Sequence, residues 1–474
     1  MFFHRRDVFH GKMNRRAFLQ TGAAIGLASV SGCLETSSSA ISDGTSVGLR
    51  LLTEGMNQPL GLEATTDNEQ RYVADKLGTI HLLTPDGDLR EFLQIGDRMA
   101  EVEHWEMGLL GIELHPEFED NGRFYVRYSA PPNENTPDRY SHTFALSEFR
   151  ASQDLQSADP ESERRILEIP EPGPSHNAGS IEFGPDAHLY VAVGDGGPAN
   201  QDTGYGHVDD WFDDFPGGNG QDVTENLLGS ILRIDVDGSA DGKSYGIPSD
   251  NPLVGTAGLD EHYAWGLRNP YRMTFDDEQL IVADAGSSFY EEVNVVESGG
   301  NYGWNVREGR DCQDPIDTRK IAQNPFRLFE KPVYGLELLD TFLPVEVPYC
   351  PTSTPDGKPL RDPVISYPHE RNGEQIGTAV VGGQVYDNDA IPELRDKYVF
   401  ADLMAGRSGQ LYASDPQSSE ESWPMERIQI AGRENGEIGE AILSVEKDAN
   451  GELCVLTTQF AEGTGKVYRV TSPS

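Results

Sequence analysis

A chain of 474 residues, 37% of them hydrophobic, is long enough to bury a sizeable core, and its 51 Gly and 30 Pro suit many short strands joined by turns better than long helices. The formal net charge of -42 leaves no basic face for phosphate, which excludes nucleic acid as a partner. Acidic residues occur in nearly every segment, and such a surface is screened only in concentrated salt, where the Debye length falls to roughly 3 Å; a salt-adapted protein is expected.

The first 32 residues have the opposite charge balance, with Arg5, Arg6, Lys12, Arg15 and Arg16 against Asp7. Arg15-Arg16 ahead of the apolar run Thr21–Val30 reads as a twin-arginine export signal, too short to span a bilayer stably. An uncleaved signal anchor is the alternative. Val30-Ser31-Gly32-Cys33 resembles a lipobox, which predicts cleavage before Cys33 and acylation of that residue. The expected location is the outer face of the cell membrane, with the lipid anchor as the membrane contact. Residues 33–48, rich in Ser and Thr, predict a flexible tether, and residues 49–474 the globular part. Cys312 and Cys350 flank one irregular insertion and are the expected disulfide pair; no CxxC or Cys/His cluster points to zinc.

From residue 60 onward one pattern recurs: an alternating apolar run, a turn of the Pro-Asp-Gly type, and a second alternating run. The copies are Leu60–Leu83, Leu110–Tyr128, Ser180–Asp195 closed by Gly229–Asp235, Tyr271–Asp284, Thr378–Tyr412 and Ala441–Val470. Six copies leave about seventy residues each, enough for a four-stranded unit with loops. The expectation is an all-β, six-bladed β-propeller of four-stranded antiparallel blades. A parallel β-helix would need shorter repeats, and a pair of sandwiches would lack the recurring motif. Blade ends converge on one channel mouth, where the long loops Asn200–Asn226 and Gly309–Val364 can build a site.

Several stretches carry a resemblance: Gly108–Phe118 (GLLGIELHPEF), His176–Gly197 (HNAGSIEFGPDAHLYVAVGDGG), Leu227–Gly238, Trp265–Arg272 (WGLRNPYR), Glu291–Trp304 and Val380–Tyr386. In this order and spacing the chain resembles the glucose/sorbosone dehydrogenases, which include soluble enzymes dependent on pyrroloquinoline quinone (PQQ) and calcium. The resemblance implies oxidation of an aldose or related sugar at its anomeric carbon, with electrons passed through PQQ to an external acceptor.

By the same resemblance His176 is the general base, since a neutral imidazole can take a hydroxyl proton near neutral pH. Arg268 and Asn269 face the quinone, with Arg268 stabilising charge on its oxygen. Glu106 stands where the dehydrogenases have a cofactor-touching glutamine, and a carboxylate there would repel a polyanion. Asn200 or Gln201 matches a further quinone contact, and Arg407 the cation for cofactor carboxylates. Backbone oxygens of Gly286 and Ser287 imply a calcium site at the cofactor, and Glu292 with the backbone of Tyr302 a second, structural one. Three of these have a structural alternative: His176 as a structural histidine, Arg268 as a salt-bridged blade arginine, and Glu292 with Glu291 as solvated strand-end acids.

Two other classes stay open. The family includes hedgehog-interacting-protein-like members that bind without catalysis and resemble this chain at Glu106. Propellers with a channel metal also host calcium-dependent lactone hydrolysis, whose side-chain ligand signature the sequence lacks.

Overall fold

Alternating runs separated by tight turns fold as the repeat predicts, into antiparallel four-stranded meanders. The computed structural model describes residues 41–197, 220–240, 242–312, 351–371, 373–418 and 421–473. The turn at Thr84–Asp88 shows the local logic: Gly87 takes a φ of +92° and donates its N–H to the Thr84 carbonyl at 2.9 Å, closing the hairpin after Leu83. Strands such as Leu189–Val193 lie second in their sheets and are buried throughout, which their uninterrupted apolar sequence requires.

Among the described residues four of these meanders are separate sheets, spanning 59–94, 109–171, 181–265 and 270–368. The strands of 380–430 and 441–471 instead belong to one eight-stranded, barrel-like sheet. They are joined by the strand Ser42–Met56, which runs parallel to Met425–Ile430 from Ser42 to Val47 and antiparallel to Gly465–Thr471 from Gly48 to Met56. The expectation of six separate blades is corrected accordingly: the arrangement is that of a propeller, with four separate blades and one double-width sheet. The cause is the length of the joining strand, whose fifteen residues pair on both sides and cover two sheet edges that would otherwise be open.

The same strand shortens the expected tether, because Ser42–Gly48 are strand and Val47 is fully buried. Residues 1–40, with the twin-arginine motif and Cys33, lie outside the described residues, and so does Cys350, the expected partner of Cys312. Cys454 is free and buried. Among the described residues no helix is long and apolar enough to cross a membrane.

The leading strands of the groups are Pro59–Ala64, Leu109–Leu114, Ile181–Phe183, Pro270–Asp276, Val380–Val385 and Ala441–Lys447, and they pack one against the next in a closed ring. Four carry a glutamate, Glu63, Glu113, Glu182 and Glu446, while Thr274 and Gln384 on the other two bond to each other at 2.7 Å. Glu63, Glu182, Arg272, Gln384 and Glu446 line a narrow space inside the ring. Burial, then crowding by neighbouring carboxyls, pushes Glu63, Glu113 and Glu182 well above the usual carboxylate range. Burial also raises Glu446, opposed by Arg272.

Candidate functional site

The starting ends of the leading strands supply Leu60, Leu110, Tyr271, Val381 and Leu443 to the wall of a larger cavity of about 270 Å³. Its polar end is built by segments that precede or follow those strands and bring in Glu106, His176, Arg268, Asn269 and Gly286. Five residues singled out from the sequence therefore meet in one place.

His176 sits on a bent approach to the third sheet, with φ of +55° at His176 and +50° at Ala178. The bend packs directly on the Gly194–Gly197 turn, where a Cβ on Gly194 would stand 1.8 Å from the His176 carbonyl oxygen. This contact brings Asp195 to the imidazole, with Nδ1 and Oδ1 2.7 Å apart. A carboxylate can only accept there, so Nδ1 carries the proton and Nε2 presents its lone pair. Nε2 lies 2.7 Å from an Arg268 guanidinium nitrogen, which donates to it.

Asp195 is fully buried and also accepts from the Trp304 indole N–H at 2.8 Å and the Gly197 N–H at 3.0 Å. Burial alone would raise its carboxyl; His176, Arg268 and the Gly197 N–H outweigh it and hold the group below the usual carboxylate range. Arg268 is fixed in turn: it donates to the Ala285 carbonyl at 2.8 Å, its backbone N–H meets Asp284, and its guanidinium lies 5.5 Å from the Trp304 ring centroid.

Glu106 is the largest departure from expectation. Its Oε2 accepts the His176 N–H at 2.7 Å and the Asn269 side-chain N–H at 3.1 Å, and the Asn269 carbonyl oxygen then accepts the Ala178 N–H at 2.8 Å. The carboxylate thus ties down both ends of the bent segment that carries the imidazole. Lys76 lies behind it, with burial bringing its ammonium down to about 8 while Glu106 opposes the shift.

The remaining residues divide. Gly286 lines the cavity, whereas Ser287 turns its N–H to Glu308, whose Oε1 also accepts the N–H groups of Ser288, Phe289 and Tyr290. Glu292 lies buried beside Asp284 and Glu308, accepting from the Gly309 N–H; burial first, then those two charges, push it up to about 8. Tyr302 sits apart, its hydroxyl bonded to the Val295 carbonyl at 2.8 Å and its N–H to the Trp265 carbonyl at 2.9 Å. Among the described residues no three His, Cys, Asp or Glu side chains converge as metal ligands. Arg407 is exposed in the turn between Tyr398–Ala405 and Ser408–Ser414, and it does not reach the cavity wall. Asn200 and Gln201 lie outside the described residues.

Sequence reasoning overlooked Asp195 and Trp304. Both stood inside the stretches His176–Gly197 and Glu291–Trp304 that carry the resemblance, and the signal for Asp195 was the acid flanked by glycines. The reacting end fits the expected quinone: a base with a defined lone pair, a fixed guanidinium and apolar walls for a flat ring. Among the described residues Arg268 is the one Lys or Arg side chain on the cavity wall, and it stands at this reacting end, so none of them offers a second cation for the cofactor carboxylates.

Comparison with known proteins shows the family and the fold. The model of the family described as Glucose / Sorbosone dehydrogenase matches residues 56–335. The HIPL1 protein of Arabidopsis thaliana is 28% identical over 424 residues, 78% of this chain and 54% of the relative. Quinoprotein glucose dehydrogenase B of Acinetobacter calcoaceticus is 27% identical over 270 residues, 54% of this chain and 52% of the relative. The chain thus spans about half the length of these curated relatives. The PQQ-bound aldose sugar dehydrogenase of Streptomyces coelicolor shares the fold, with a TM-score of 0.60 at 18% identity over 91% of this chain and 99% of that one. With more than half of its residues matched by the family model, the chain belongs to the glucose/sorbosone dehydrogenase family.

Proposed function

We propose that the protein oxidises an aldose or similar sugar at the anomeric carbon, with PQQ and calcium bound at the cavity and electrons passed on to an external acceptor. The observation that carries this reading is the Asp195–His176–Arg268 chain opening into an apolar cavity. His176 Nε2 takes the proton of the C1 hydroxyl, while Asp195 keeps Nδ1 protonated and the ring oriented. Because Nε2 has a single lone pair and accepts from Arg268, the step requires the guanidinium to turn that N–H from Nε2 to the substrate oxygen, where it supports negative charge as the proton leaves. Trp304 and the Gly197 N–H hold Asp195, so the base does not rotate between turnovers. When bound, the quinone supplies the two-electron sink. The Gly286 and Ser287 backbone would hold its calcium, and Asn269 and Arg268 its reacting edge. The twin-arginine motif and Cys33 support an exported, lipid-anchored protein.

The test is to load the purified protein with PQQ and calcium in high salt, add aldoses and follow reduction of an artificial dye. Sugar-dependent turnover that disappears in His176→Ala is the expected result; no turnover with any aldose in quinone-loaded protein overturns the reading.

A second reading, a binding module without catalysis, is favoured by Glu106 and by the likeness to HIPL1. Saturable calcium binding with no quinone uptake would select it.

A further inference from the structure

The second and third sheets meet through an apolar layer in which Tyr125, Phe144, Leu146 and Ile169 pack with Ile181 and Val191. Arg127 interrupts this layer. It sits on the strand Arg123–Ala130, its side chain is fully buried, and its guanidinium lies 4.2 Å from the Phe144 ring centroid. Glu171 is 3.8 Å from it, His142 stands opposite Glu171 on the neighbouring strand, and Asn177 follows His176; all three are fully buried as well. Burial, then Arg127, bring the His142 imidazole down to about 3, so it is neutral and Glu171 is the nearest counter-charge to the guanidinium.

This group is poorly suited to holding the two sheets together. Arg127 Nε and Nη1, both ring nitrogens of His142, both carboxylate oxygens of Glu171 and the Asn177 Oδ1 make no hydrogen bond among the described residues. Apolar side chains of the same volume would pack there at least as stably, with no charge to desolvate and no polar atom left over. What the guanidinium does bond is the main chain of the site: Nη2 donates to the Asn177 carbonyl at 2.8 Å, inside the bent segment with positive φ at His176 and Ala178. The Asn177 side chain is tied as well, donating to the Pro174 carbonyl at 2.8 Å and the Glu106 carbonyl at 3.3 Å. Glu171 stands against the other arm of the site, where a Cβ on Gly196 would lie 3.4 Å from its Oε2, and Gly196 separates Asp195 from the Gly197 N–H that Asp195 accepts. The bent segment is therefore held on one side by the Glu106 carboxylate and on the other by Arg127.

We propose that Arg127 is a positioning residue for His176, with Glu171 as its counter-charge: the buried guanidinium fixes the Asn177 carbonyl, and with it the pitch of the bent segment that keeps Nδ1 on Asp195 and Nε2 at the cavity; this rests on the reading of His176 as the base. A reacting group misplaced by about 1 Å can lose about 100-fold in rate, so an anchor one residue away from the imidazole has a large lever on the chemistry. The guanidinium is planar and lies over Phe144, which sets the direction of its donors; the single ammonium of a lysine would have no such direction.

The full chain, free of quinone and isotope-labelled in its histidine rings, is compared with two variants. Arg127→Met/Glu171→Gln removes both charges together, and Arg127→Lys keeps the charge facing Glu171 without the planar donor. Ring-nitrogen chemical shifts report the tautomer, and the His176 signals are assigned by their loss in His176→Ala. The parent chain is expected to show His176 protonated on Nδ1, and both variants a mixture of the two tautomers. The double variant is expected to melt no lower than the parent, which separates the change at His176 from a loss of fold; should it fail to fold, Arg127→Lys carries the test. In quinone-loaded protein kcat falls about 10–100-fold in the double variant and about 3–10-fold in Arg127→Lys, with KM for sugar within about two-fold of its original value. A folded variant with the parental His176 signals and the parental kcat overturns the positioning role, and so does a loss of kcat that follows a lower melting temperature while those signals stay unchanged. Mixed tautomers in the variants, with no dye reduction by the loaded parent on any aldose, would sink the oxidation reading and leave the positioning role standing. Full turnover by the parent beside parental signals in both folded variants would do the reverse.

Discussion

Two regions on the axis of the leading-strand ring are both rich in buried carboxylates, and they are solved in opposite ways. At the cavity, Asp195 is met by an imidazole, an indole N–H and a backbone N–H, and Glu106 by two N–H donors, so each charge is absorbed by fixed dipoles. In the narrow space within the ring, Glu63, Glu113 and Glu182 face one another and Arg272 stands near Glu446 alone, its Nε 3.9 Å from that carboxylate. Pairing, more than burial, decides the charge state: Asp195 lies below the usual range and the ring glutamates above it, although both are enclosed. The first arrangement is suited to moving a proton, the second to retaining one.

The comparison breaks most sharply at His176. In quinone-loaded protein His176→Ala is expected to lower kcat by about 10²–10⁴ with little change in fold, measured by dye reduction and circular dichroism. Retained turnover would mean that the polar end of the cavity is structural. Asp195→Asn comes next, because an amide can donate to Nδ1 and thereby place the imidazole proton on the wrong nitrogen. A loss of about 100-fold or more in kcat is expected, with KM for sugar near its original value. An unchanged kcat would show that the imidazole does not depend on the carboxylate for its tautomer.

The ring glutamates give a stability effect of definite sign. The Glu182 carboxyl titrates well above its unfolded value near 4.5, so its contribution is fully present below that value and is lost as pH rises through the raised folded one. Glu182→Gln removes this dependence. Its stability relative to the parent chain should improve by about 1–3 kcal/mol between pH 5 and pH 8, read by denaturant unfolding at constant salt. A gap that does not change with pH would mean that the ring carboxylates are paired like those at the cavity.

The strand pattern and the polar end of the cavity were legible in the sequence, whereas the carboxylate contrast was not. The strands were legible because period-two alternation and Pro-Asp-Gly turns are local signals, and the meeting of His176, Arg268, Asn269, Glu106 and Gly286 followed from the order of the motifs. The joining of two strand groups by Ser42–Met56 was not legible, since it depends on pairing with Met425–Ile430, hundreds of residues away. Glu106 was expected to oppose a polyanion; its actual role follows from the positive φ at His176, a backbone state no side chain announces. Asp195 was hidden for a simpler reason, that an acid between glycines is ordinarily a turn.

The smallest expected effect lies at Arg407, and it sharpens the comparison from outside. A guanidinium in an exposed hairpin turn has lost little hydration and holds no fixed partner in the cavity, whereas Arg268 is bonded to His176 and the Ala285 carbonyl and backed by Trp304. Arg407→Ala should therefore change stability by no more than about 0.5 kcal/mol and quinone uptake by less than about two-fold, followed by absorbance titration with PQQ. A ten-fold loss of uptake would place this turn over the cavity in the loaded protein and make Arg407 a cofactor ligand after all. An unchanged uptake leaves Arg268 to carry that charge at the reacting end, where the motif around it already puts the chemistry.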